Sequence, residues 1–183
     1  MKRRTLLLRS ALALSVPATL LSGCGTPQIK DYATQTPALD LRDYFNGTLD
    51  AYGLFTDRSG QVIKRFTVVM NGSWNGNEGV LDEAFSYADG TTQRRVWRLQ
   101  RHANGRYTGQ ADDVLDFARG QQSGNAVHWH YTLSLPVNGR VIDVQMDDWM
   151  FLMSEQVMLN KAVMSKWGVD LGEVTLTFIK RLA

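Results

Sequence analysis

Val127-His128-Trp129-His130-Tyr131-Thr132-Leu133-Ser134-Leu135-Pro136-Val137-Asn138-Gly139 carries the signature from which the fold is read. Val127, Trp129, Tyr131, Leu133 and Leu135 alternate with His128, His130, Thr132 and Ser134. A period of two is that of a β-strand with one face buried and the other wet. Pro136 has no N–H to give a ladder and closes the strand. Asn138-Gly139 supplies the positive φ that a type I′ hairpin turn needs, so a second strand is expected to fold back at once.

The same texture extends in both directions. Turn signals recur at Ser59-Gly60, Asn75-Gly76, Asp89-Gly90, Asn104-Gly105 and Ser123-Gly124. Between them lie alternating segments. Thr48–Phe55 is a first strand; Val62, Phe66, Val68 and Met70 share a face of the second. Leu81, Phe85 and Tyr87 share a face of the third, with Glu83 among them, and Arg95, Trp97 and Leu99 a face of the fourth. Tyr107–Ala118 reads as two short strands broken near Asp112-Asp113. After the central strand come Ile142, Val144, Met146 and Met150 with Asp148 in line, then Val157, Leu159, Val163 and Trp167, then Val174, Leu176 and Phe178. Leu41, Tyr44 and Phe45 fall at helical spacing behind Asp40, which predicts a short capped helix that plugs one end of the β domain.

About eight to ten strands joined by short turns are expected to close, because closure removes unpaired edges. The fold class is therefore all-β: a lipocalin-like up-and-down antiparallel barrel with a short N-terminal helix. A β-sandwich or an open curved sheet is the alternative. A membrane-spanning barrel is disfavoured, since Arg65, Arg94, Arg98 and Asp143 lie opposite the apolar faces.

The first residues have a separate logic. Lys2, Arg3, Arg4 and Arg9 precede an apolar run, Ala11–Leu21, which is followed by Ser22, Gly23 and Cys24. This is the pattern of an export signal ending in a lipobox. Arg3-Arg4 raises twin-arginine export as a minor route, but Thr5-Leu6-Leu7-Leu8 fits it poorly. Cys24, the sole cysteine, is expected to carry a diacylglycerol and, after cleavage, an N-acyl chain. Two or three acyl chains hold a protein firmly, whereas one does not. The expected organisation is a signal peptide over 1–23, a lipidated flexible tether over 24–40 and a barrel domain over 41–183. Gly25, rather than an acid, follows the cysteine, which matches cargo sorted to the outer membrane, facing the periplasm. The formal charge of +2 belongs to the signal: without its four basic residues, 16 Lys+Arg face 18 Asp+Glu, and nucleic acid is not an expected partner.

Three charges fall on otherwise apolar faces: Glu83, Arg95 and Asp148. A buried charge is costly unless paired. Either they form a structural ion pair or rim charges, or Arg95, with Glu83 or Asp148 nearby, meets the polar head of a ligand whose tail lies along Trp97 and Phe85. The guanidinium fork suits a carboxylate or phosphate. His128 and His130 share a face, as metal ligands can, but no third ligand is evident in sequence, and a solvated pair is expected. Asp112, Asp113 and Asp116 lack the spacing of a calcium loop and read as solvated turn acids. No Gly-x-Ser-x-Gly elbow and no phosphate loop occur, so neither an enzyme nor a cofactor is expected.

Gly72-Ser73-Trp74-Asn75-Gly76-Asn77-Glu78-Gly79, Gln93-Arg94-Arg95-Val96-Trp97, Gly124-Asn125-Ala126, Asp147-Asp148-Trp149-Met150 and Gly172-Glu173-Val174-Thr175 together resemble the bacterial lipoprotein family called domain of unknown function 3833. The likeness runs from Phe45 to Lys180. It implies a lipoprotein and a calycin-type barrel and supplies no activity. The combined expectation is a membrane-anchored protein that binds or carries a fatty acid or phospholipid. The alternative is an envelope scaffold with a filled barrel and an unnamed protein partner. An enzyme using Asp148 as acid or base is a third reading with little in the sequence behind it.

Overall fold

A computed structural model describes residues 26–137 and 139–182. The expected signal and Cys24 lie outside the described residues. The chain forms ten antiparallel strands: β1 Gly47–Asp57, β2 Val62–Asn75, β3 Glu78–Tyr87, β4 Thr92–Arg101, β5 Arg106–Gln110, β6 Val114–Ser123, β7 Ala126–Val137, β8 Arg140–Leu152, β9 Val157–Lys166 and β10 Val169–Lys180. Each pairs with its neighbour in sequence, and β1 pairs with β10, so the meander closes into a barrel. The expected all-β, lipocalin-like architecture is what the chain adopts.

The turn residues act as their chemistry requires. Gly60, Gly76, Gly90, Gly105, Gly124 and Gly139 all have positive φ between strands. The predicted break at Asp112-Asp113 separates β5 from β6. Alternation holds on most strands, with Leu49 and Ala51, Val68 and Met70, Leu81 and Phe85, Val144 and Met146 buried inside.

Strand β9 departs from expectation. Val157, Leu159, Val163 and Trp167 do not form its inner face; Met158, Asn160, Ala162 and Met164 do. The register explains the difference. Met146 stands opposite Met164, Asp148 opposite Ala162 and Phe178 opposite Met158, and directly paired residues share a face. Trp167 sits at the tip of the β9–β10 hairpin with φ +52, 89% exposed, and the Lys166 ammonium lies 5.0 Å from its ring centre. Val62 is also exposed, beyond the register shift between Phe55 and Thr56.

One end of the barrel is plugged. Helix α1, Leu41–Tyr44, has four residues, too few to hold itself. Its Asp40 cap accepts from the Arg42 N–H at 2.9 Å and pairs with the Arg42 guanidinium at 2.8 Å. Packing does the rest: Leu39, Leu41, Tyr44 and Phe45 are all buried, each worth about 1.5–3 kcal/mol on full burial. The Tyr44 hydroxyl reaches the carbonyls of Gln156 and Phe178 at 3.0 and 3.1 Å. Gly72 lets the plug approach, since a Cβ there would stand 1.8 Å from the Phe45 carbonyl oxygen.

Part of the segment expected as tether is docked. Ile29–Tyr32 forms a 3-10 turn, Tyr32 packs on Trp149 and Phe151 at 5.5 and 5.2 Å, and Leu39 N–H donates to Gly124 O at 2.9 Å. Tyr32, Trp149 and Phe151 combine aromatic area, which offsets the cost of ordering this stretch.

Candidate functional site

Every strand enters or leaves the plugged end, so the other end is the mouth, ringed by the turns after β1, β3, β5, β7 and β9. Inward side chains in that half are only partly covered: Phe55, Phe66, Tyr87, Leu135, Ile142, Val174 and Leu176. Phe66, Phe85 and Tyr87 form an aromatic wall with ring centres 5.8–6.1 Å apart. Trp97 on β4 meets Tyr131 on β7 edge-on at 5.7 Å, across strands that are not neighbours.

All five candidate residues named from sequence lie on this inner surface. Glu83 and Arg95 are directly paired across β3 and β4. The Arg95 fork, however, closes on Asp113, with Nη2–Oδ2 at 2.6 Å and Nε–Oδ1 at 3.1 Å. Glu83 stands 4.0 Å from the guanidinium, which also lies 5.4 Å from the Phe85 ring centre. Asp113 is thus not a solvated turn acid: the β5–β6 turn swings it into the mouth. Arg95 already has the carboxylate that a buried guanidinium requires, so the head of a ligand would share it with Asp113.

Asp148 belongs to a second group. It accepts from the Tyr131 hydroxyl at 3.0 Å and from the Asn160 amide, whose N–H also reaches Trp149 O at 3.0 Å. Tyr131 and Asn160 are not among the site residues expected from sequence, and Asp113 is expected there only as a solvated turn acid. For Asn160 the available signal was a polar residue flanked by Met158 and Ala162 on a strand; recognising it required the register that puts these three inside.

Burial sets the titration of the cluster. Burial pushes Glu83 up to about 7 against the pull of Arg95, and Asp113 adds to the rise. It pushes Asp148 up to about 6, restrained by the bonds from Asn160 and Tyr131. Burial works against the charge of Arg95, but Glu83 and Asp113 outweigh it and its pKa rises. Tyr131 is raised, first by burial and then by Asp148.

A carboxyl that holds its proton longer in the folded state makes stability fall as pH rises, since the native state binds more protons than the unfolded one. For Glu83 the fall begins at the ordinary value of 4.5 and is complete above about 7. His128, whose pKa burial lowers, acts in the opposite sense. The difference between variants is therefore the readout. Glu83→Gln is expected to leave stability near pH 4.5 little changed and to raise it above pH 7, by up to about 3 kcal/mol if the whole shift is relieved. Urea midpoints across this range measure it, and an unchanged pH profile in the variant would contradict it.

Strand number, closure and inner surface define the class: an up-and-down lipocalin-like barrel, plugged at one end, with a polar cluster set in an apolar lumen. The chain belongs to the family described as protein of unknown function, DUF3833, whose model matches residues 18–180. Among solved structures, the S-type phycobiliprotein lyase CPES from Guillardia theta is similar, with a TM-score of 0.61 and 6% identity. The match covers 86% of this chain and 99% of that one. At that identity the likeness is one of fold. No curated protein matches the sequence.

Proposed function

We propose that this chain is an envelope lipoprotein, anchored through Cys24 to the outer membrane and facing the periplasm, whose barrel binds or carries a fatty acid or phospholipid. The observation that carries the reading is the mouth half of the barrel, where partly buried aromatic and aliphatic side chains lie on the same inner surface as the Arg95–Asp113–Glu83 cluster. An acyl chain matches the wall of Phe66, Phe85 and Tyr87; a polar head matches the charges. The cluster also selects between heads. Arg95 is matched by Asp113 and faced by Glu83, so a free carboxylate meets two acids beside one cation. A zwitterionic phospholipid fits better: its phosphate turns to Arg95 and its ammonium to Glu83 or Asp113. The likeness in fold to a structure titled as a phycobiliprotein lyase is consistent with a small molecule in the barrel. Binding without chemistry is part of the proposal.

The anchor bears on orientation. Four residues from Cys24 to Gln28 reach at most about 14 Å. Tyr32 is docked beside Phe151, near the plugged end. In this reading that end is held at the membrane and the mouth points away from it. Ile63, Val141 and Trp167, all exposed at the mouth, give the rim an apolar edge for exchange.

Native mass spectrometry of delipidated Cys24→Ala protein, refolded with a lipid extract, tests the binding. The expected result is one bound phospholipid per chain, with phosphatidylethanolamine retained over free fatty acid. Folded protein that retains no lipid would overturn it. That outcome would favour the second reading, an envelope scaffold with a filled barrel, which the Trp97–Tyr131 contact across the lumen supports.

A further inference from the structure

A different cluster lies on the outer wall. His128 and His130 leave β7 on the same face, and the register places Asp147 of β8 directly opposite His130. One Asp147 oxygen stands 3.0 Å from His128 Nε2 and the other 3.7 Å from His130 Nδ1. All three donor groups offer an atom within 4.8 Å of the others. The His128 ring is held by stacking on Trp149, with centres 3.8 Å apart and planes at 17°.

We propose that His128, His130 and Asp147 form a site for a divalent transition metal of the zinc class. Zinc holds nitrogen and carboxylate oxygen at about 2.0–2.2 Å, so a tetrahedral site spaces its donors about 3.3–3.5 Å apart. The carboxylate–imidazole separations, one to each Asp147 oxygen, lie close to that spacing. The His130 side chain, 60% exposed, is free to turn inward by the remainder. Two imidazoles and one carboxylate suit zinc or copper and leave a fourth position for water or another oxygen ligand. Neighbouring charges set the affinity. Arg119 stands opposite His130 on β6 and opposes a cation. Lys161, opposite Trp149 on β9, is already engaged by Glu173 at 3.0 Å.

The test is calorimetric titration of zinc chloride into full-length protein in detergent, purified without a polyhistidine tag. The expected result is one zinc per chain, weakened at least about tenfold by His130→Ala and by Asp147→Ala but not by His102→Ala. His130 and Asp147 are exposed, and an unchanged near-ultraviolet dichroism spectrum confirms that their variants fold. Copper(II) should quench tryptophan fluorescence in the wild type and markedly less in Trp149→Phe. Failure of the wild type to bind zinc, or wild-type affinity retained in both ligand variants, would overturn the site and leave a hydrogen-bonded His–Asp pair.

Discussion

Arg95→Met is expected to destabilise the fold by about 3–5 kcal/mol at pH 8, the usual cost of removing one partner from a buried ion pair. The guanidinium is the counter-charge of Asp113 at 2.6 Å and of Glu83 at 4.0 Å. Without it both acids face a low-dielectric lumen. The loss should shrink toward pH 5, because Glu83, already raised to about 7, is protonated there and needs no partner. Arg95→Met combined with Glu83→Gln should be milder than Arg95→Met alone at pH 8, since replacing charged groups together avoids stranding one of them. Chemical denaturation at the two pH values measures both variants. Equal losses at both pH values would mean that Glu83 is not coupled to Arg95.

Tyr44→Ala is expected to cost about 3–5 kcal/mol, as a buried aromatic replaced by alanine leaves a cavity. Tyr44 is 4% exposed, and its ring meets Phe45 edge-on at 5.2 Å, which in turn meets Phe178 at 5.6 Å. Its hydroxyl also serves carbonyls on the β8–β9 turn and on β10. Tyr44→Phe keeps the ring and should lose only about 0.5–1.5 kcal/mol, the net worth of a hydrogen bond. Thermal or urea unfolding of the pair separates packing from the polar contact. A small loss in Tyr44→Ala would show that the plug does not close the barrel.

Legibility in sequence tracked the range of the interactions involved. Alternation around Trp129 and turns such as Asn75-Gly76 are local, and they identified most strands and the barrel class. Asp40 ahead of Leu41, Tyr44 and Phe45 announced the plug for the same reason: capping and helical spacing act within one turn. Strand β9 was misread because Val157, Leu159 and Val163 are apolar at the same period as Met158, Ala162 and Met164; local pattern cannot choose between two such faces. The choice falls to cross-strand register, which seats Asn160 beside Asp148.

The sequence by itself determined that the chain alternates, turns and closes and that Glu83, Arg95 and Asp148 ride on its inner face, and it led to the expectation of an export signal ahead of the barrel. These follow from strand period, turn stereochemistry and the zoning of signals, all of which act over a few residues. Only the tertiary structure decided which charges meet. It gave Arg95 to Asp113, joined Tyr131 and Asn160 to Asp148, and brought Asp147 to His128 and His130. Such partners come from different strands or turns, and their distances are set by register and barrel closure, which no local run of residues contains.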